Sequence, residues 1–219
     1  MKQIIDHHSK CYKDLHISHD NGAYYYCKEI EDNIIPYIKT DRPWVLLNIP
    51  EYCFDRAIVF IHNNKNPERY EWLKNYKKLI LICSQIKTLK FIIEMLPMHH
   101  TILIPLSIDI NYVKQFKTKR KTKNIAYFGR MEKCPEEIDE NKNIDKLTGN
   151  DRVNLLKQVA KYKTVYAIGR CALEAKCLGC KVISHTGEYE NTEFHLLDNK
   201  EVIPLIQKSI NEIDGLCYN

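Results

Sequence analysis

Residues 168–179, IGRCALEAKCLG, hold two glycines and two opposite charges at helical spacing. Gly169 falls where an apolar run ends. A glycine there lets an anionic group come close to the backbone, and the first-turn amides of a helix opening at Arg170 supply donors at a positive dipole end. Arg170 adds a charge-assisted donor. Glu174 lies one turn further on the same face, and a carboxylate that only accepts suits vicinal hydroxyls such as those of a ribose. A plainer reading fits the same residues. Gly169 and Gly179 can be helix punctuation, with Gly179 at the C′ position, and Arg170 with Glu174 a surface i,i+4 pair.

Other groups of reactive residues have less pattern. His7, His8, Cys11, His16 and His19 cluster near the amino terminus, but their spacing matches no metal-site template, and the segment reads as a loop after the first strand. His99, His100 and His195 read as surface residues. No Asp-x-Asp pair occurs, so a metal-chelated diphosphate is not expected. Tyr24, Tyr25 and Tyr26 could stack bases, yet three consecutive aromatics on a helix point in different directions, which favours packing. The segment KTKRKTK at 117–123, with Lys114, Lys74, Lys77 and Lys78, could meet phosphates, although solvated surface is the default for such runs.

The elements that must position these residues are short aliphatic runs alternating with amphipathic helical ones. Short runs rich in β-branched and aliphatic residues, such as WVLLNI, RAIVFIH, KLILICS, HTILIPLSID, NIAYFG, TVYAIG and CKVISH, recur along the chain. Helical patterns such as IKTLKFIIEML and DRVNLLKQVAKY separate them. This alternation predicts parallel sheets covered on both faces, with Asp151 or Asn150 as the cap of the DRVNLLKQVAKY helix. The chain is 219 residues long, enough for one sizeable core or two of about 100 residues each. Hydrophobic residues make up 44% and charged ones 28%, which is ordinary for a soluble globular protein. A net charge of +5 permits a polyanionic partner without demanding one. No stretch nears the 18 to 20 apolar residues of a membrane span, and the amino terminus lacks a secretory apolar core, so the chain reads as cytoplasmic with no membrane partner. The nine cysteines, among them Cys83, Cys171, Cys177 and Cys180 within apolar or helical patterns, read as reduced small hydrophobes.

IGRCALEAKCLGCKVIS resembles the nucleotide-binding segment of GT-B fold glycosyltransferases, whose carboxy-terminal domain carries Gly-Arg-x-x-Leu-Glu-Ala-x-x-x-Gly-x-x-Val-Ile. NIAYFGRMEK is similar to the opening strand of the same domain, and VFIHNN, LILICSQ and ILIPLSID follow the order of the amino-terminal domain. DNGAYYYCKEI matches the glycine that opens its first helix. The resemblance implies two Rossmann-like α/β domains with parallel sheets: an acceptor-side domain at 1–116, a basic hinge at 117–123 and an abbreviated nucleotide-sugar-binding domain at 124–219. It implies that Glu174 holds ribose hydroxyls and that Arg130 and Lys133 meet the diphosphate of the leaving group. Gly129, Gly169, Arg170 and Cys171 would line the diphosphate or sugar, Gly22 would let the first loop approach the diphosphate, and His62 would touch the acceptor or transferred sugar.

The implied activity is metal-independent transfer of a sugar, with UDP-glucose the expected donor, no tightly bound cofactor, and a hydroxyl as acceptor. Small size and positive charge extend the expectation to double-stranded DNA bearing 5-hydroxymethylpyrimidines, as in phage-encoded DNA modification. The alternatives are a glycan or small-molecule glycosyltransferase, a sugar-nucleotide epimerase, and a non-catalytic nucleotide- or DNA-binding module. The chain departs from the family pattern in three places. Tyr166 stands where the family has an upstream glutamate, the lysine follows Gly129-Arg130 after three residues instead of about five, and the stretch from Arg130 to Asp151 is too short for the usual intervening elements.

Overall fold

The structure, a computed structural model, describes residues 4–6, 22–47, 53–61, 67–149, 151–184 and 196–216. The chain forms two compact units, one of Met1–Pro105 with Lys200–Asn219 and one of Leu106–Asn199. Among the described residues no helix is long and apolar enough to cross a membrane.

The first unit is built on five parallel strands: β1 (Ile4–Asp6), β2 (Trp44–Leu47), β3 (Ile58–Ile61), β4 (Ile80–Cys83) and β5 (His100–Leu103). They lie in chain order, β1-β2-β3-β4-β5, with Trp44 paired to Ile58, Ile58 to Ile80 and Ile80 to His100. β3 and β4 are buried at every position, as strands covered on both faces must be. Val45, Val59, Ile61, Leu81 and Cys83 alternate onto one face. They pack there with Tyr70 and Leu73 of a 3-10 helix (Pro67–Asn75) and with Ile92 of α2 (Ile86–Met95). The sequence reads as a helix from Pro67 through ERYEWLKNY, 67–76; the buried pair Tyr70 and Leu73 is three residues apart, and three per turn is the period at which 3-10 side chains align. α1 (Gly22–Asn33) runs into a 3-10 turn at Ile35–Tyr37. The last helix, α7 (Asn199–Leu216), buries Val202, Ile206, Ile210 and Ile213 at helical spacing.

The second unit has four parallel strands: β6 (Lys123–Phe128), β7 (Asp145–Leu147), β8 (Tyr162–Tyr166) and β9 (Lys181–Ile183), in the order β7-β6-β8-β9. Its helices are α3 (Ile110–Lys114), α4 (Glu136–Asp139), α5 (Arg152–Val159) and α6 (Gly169–Cys177). Asp151 caps α5 by accepting from the Asn154 N–H at 2.9 Å, which satisfies one of the orphan first-turn donors. Ala126, Phe128 and Val165 pack on one side with Leu156, Val159, Ala172 and Leu173, while Tyr127 turns to the other with Ile138 and Ile144. α6 ends at Gly179 (φ +79°), with the Cys180 N–H returning to the Ala175 carbonyl at 3.0 Å, as the C′ reading of Gly179 expects.

Two expectations about organisation change. The compact units part at Pro105/Leu106 and Asn199/Lys200, and the basic segment 117–123 is anchored within the second unit. Thr118 donates to the Ala160 carbonyl at 2.7 Å, the Lys121 ammonium donates to the Ala160 and Leu178 carbonyls at 2.8 Å each, and Lys123 is the first residue of β6. Those carbonyls end α5 and α6, where a cation complements the helix dipole. Second, the stretch after Arg130 does hold a strand, β7. Its Asp145 and Lys146 hide it from a hydrophobicity reading, since Leu147 alone of its three residues is buried.

Candidate functional site

From β6 the chain passes to β7 on one side and then to β8 on the other, so the order reverses between β6 and β8. In an open parallel sheet, that reversal opens a crevice at the carboxyl ends of the two strands, where ligands are bound. β6 ends there in Gly129-Arg130 and β8 leads there into Ile168-Gly169-Arg170.

At the end of β6, the Tyr127 phenol folds over Gly129 and donates to the Arg130 carbonyl at 2.7 Å. A Cβ on Gly129 would sit 2.8 Å from the phenol oxygen, so a side chain at 129 would displace the ring. Burial pushes the Tyr127 phenol above its ordinary value, which keeps it the donor in this bond. The chain then makes a 3-10 turn over Met131–Lys133, which leaves Arg130 and Lys133 exposed beside the crevice.

At the end of β8, Ile168 is extended and Gly169 opens α6 with φ +55°, in the left-handed region that disfavours residues with a Cβ. The first-turn amides of α6 have no acceptor within the helix itself. One turn on, Glu174 is buried, its side chain 4% exposed. Its Oε1 accepts from Arg170 Nε at 2.9 Å and from Arg152 Nη2 at 2.6 Å. Arg152 opens α5, and its guanidinium lies 5.9 Å from the centre of the Tyr112 ring, within cation–π range. Two guanidiniums thus converge on one carboxylate oxygen beside the positive end of α6.

The Cys171 thiol sits among these groups. Burial, and next the Glu174 carboxylate, push its pKa from 9.0 to about 12, while the charges of Arg170, Arg152 and Lys133 pull the other way. A thiol so held is a poor nucleophile, which leaves its backbone amide as the contribution of Cys171. Arg152 from α5 and Arg170 and Glu174 from α6 thus meet beside this thiol, and the Lys133 charge also bears on it.

The structure therefore gathers seven of the expected site residues, Gly129, Arg130, Lys133, Gly169, Arg170, Cys171 and Glu174, at one end of one sheet. Gly22 opens α1 in the first unit. His62 and the amino-terminal His7, His8, Cys11, His16 and His19 lie outside the described residues. Among the described residues no three His, Cys, Asp or Glu side chains converge as a metal site requires. The surface i,i+4 reading of Arg170 and Glu174 does not hold, since the pair is buried and shared with Arg152. Sequence reading missed Arg152, whose only local signal is its place directly after the cap Asp151. No family model, curated protein or solved structure matches the chain.

Proposed function

We propose that the second unit binds the diphosphate of a nucleotide sugar at the carboxyl ends of β6 and β8, and that the protein is a GT-B-like glycosyltransferase with its donor on this unit and its acceptor side on the first. The observation that carries this reading is the Arg152–Glu174–Arg170 cluster, which sets two guanidiniums next to the opening turn of α6 at the strand-order reversal. A helix amino terminus with guanidinium donors beside it favours a phosphate, and a diphosphate is long enough to reach Arg130 and Lys133 as well. In transfer, charge grows on the departing diphosphate, and fixed cations aimed at it stabilise the transition state more than the bound donor. Arg130 and Lys133 have that role, Gly169 to Cys171 contribute amide donors, and Arg152 fixes the carboxylate. Glu174 takes the ribose hydroxyls through Oε2, its Oε1 being committed to the arginines. The expected donor is UDP-glucose.

Glu174→Ala is an unsuitable probe, because it removes a buried carboxylate that two guanidiniums share. Arg130→Ala and Lys133→Ala change exposed side chains and leave packing alone. The test incubates the pure protein with a panel of nucleotide sugars and follows release of nucleoside diphosphate. Release from one donor, lowered at least tenfold in Arg130→Ala at unchanged melting temperature, supports the reading. Tight binding without release from any donor favours the non-catalytic module, and neither binding nor release removes the reading.

A further inference from the structure

The opposite edge of the same sheet has a charge pattern of its own. Because all four strands are parallel, their amino ends share one edge, and there α5 and α6 deliver their carboxyl ends. Segment 117–123 runs along this edge: the Thr122 and Lys123 N–H groups donate to the Lys161 carbonyl at 2.9 and 3.0 Å, Lys123 pairs with Tyr162 and Thr164 with Lys181. At the end of α6, the Lys117 side chain lies where a Cβ on Gly179 would meet it at 3.4 Å. Lys117, Lys119, Arg120, Lys123, Lys161, Lys163 and Lys181 are all exposed here. Across 117–123, 160–163, 178–181 and the start of β7, the opposing carboxylate is Asp145 alone, already in an ion pair with Lys123 at 2.9 Å.

Capping two helix ends explains one cation, Lys121; it does not explain seven more. Lys123, Lys163 and Lys181 stand on paired strands and Lys161 is bonded to Thr122 and Lys123, so this part of the charge is presented on a fixed frame and its backbone pays little ordering entropy on binding. We propose that this edge docks the phosphate backbone of a nucleic acid. The cations spread over three strand starts spaced about 4.8 Å apart and over the segment beside them, which suits a repeating line of charge better than one small anion. None of the large hydrophobic side chains exposed among the described residues lies here, and a surface that enters lipid needs such side chains beside its lysines. Protein interfaces deplete lysine from their centre. Tyr162, the aromatic on this edge, is buried, leaving no platform for stacked bases, so recognition is of phosphate and independent of sequence. The edge is the far end of the sheet from Arg130 and Gly169, so docking is separable from nucleotide binding.

The test measures anisotropy of a fluorescent DNA duplex of about 30 base pairs titrated with the full chain, with salt stepped from about 50 to about 200 mM. The edge variant carries Lys119→Gln, Arg120→Gln, Lys161→Gln and Lys163→Gln. A control of equal net charge carries Lys74→Gln, Lys77→Gln, Lys87→Gln and Lys90→Gln in the first unit. The wild type and control are expected to bind alike. The edge variant should lose at least tenfold in affinity, and the slope of log K against log salt should fall by about 3 to 4, near 0.9 per lost phosphate contact. Nucleoside diphosphate binding should be unchanged in both variants. No duplex binding at about 50 mM salt, equal loss in both variants, or binding to vesicles of anionic lipid but not to the duplex would overturn the proposal.

Discussion

The two parallel sheets use the same strand-and-helix alphabet and reach different ends. In the first unit the strands stand in chain order and no reversal occurs among the described strands. The second unit reverses between β6 and β8. Each unit also encloses an arginine–carboxylate group, and the two are satisfied differently. Arg42, its side chain 1% exposed, gives two bonds to Asp214 Oδ1 at 3.1 and 2.6 Å and two more to the Arg56 and Lys78 carbonyls at 2.8 and 2.9 Å. It ties the loop before β2 to α7 and to the approaches to β3 and β4, with one charge against one. The second unit sets two guanidiniums on one carboxylate oxygen at the strand-order reversal. A pair closed within the framework is architecture, while two guanidiniums converging at the crevice of a strand-order reversal are capacity for a ligand.

The largest effect that tests this contrast is on stability. Arg42→Ala leaves Asp214 without its partner and two carbonyls without donors, and should lower unfolding stability by about 3–5 kcal/mol, read as a fall in urea midpoint. The next is on binding: Lys133→Ala should weaken a nucleoside diphosphate by roughly tenfold, the value of a charged hydrogen bond of about 1.5 kcal/mol, with the melting temperature unmoved. If Lys133→Ala instead destabilised the fold as Arg42→Ala does, the distinction between the two clusters would fail. Gly169→Ala forces a Cβ into φ +55° and should cost about 1–2 kcal/mol, with a matching loss of affinity as the first turn of α6 shifts.

A smaller effect is set by pH. The thiols of Cys53, Cys83 and Cys171 are raised by burial from 9.0 to about 11, about 12 and about 12. The unfolded chain therefore releases these protons at lower pH than the folded one. Their contribution is whole below pH 9 and is lost as pH rises from 9 towards 12, so stability falls with pH in that window. Urea melts across it should show a shallower fall in Cys171→Ala than in the wild type.

The parts of this picture legible in sequence are those with local causes. Aliphatic runs mark β3, β4, β6 and β8 because both of their faces are covered. Gly169, Arg170 and Glu174 announce themselves by spacing within one helix, and Asp151 by its place before another. What the sequence hides is non-local. Strand order depends on which edge each new strand joins, so the reversal at β6 and β8 has no local mark. β7 reads as polar because Leu147 alone of its three residues is buried. Arg152 reaches Glu174 across 22 positions, through the packing of α5 beside α6. The basic segment looks like a linker by composition, and only the helix ends it caps reveal it as part of the second unit.

We propose that a diphosphate binds where β6 and β8 end. Hydrogen exchange of the full chain, followed by mass spectrometry of its peptides with and without UDP, tests it most directly. The account predicts slower exchange on adding UDP in the peptides covering 129–133 and 168–174, with the strand starts at 117–123 and 161–163 unchanged. Protection confined to other peptides, or none at saturating UDP, would contradict it.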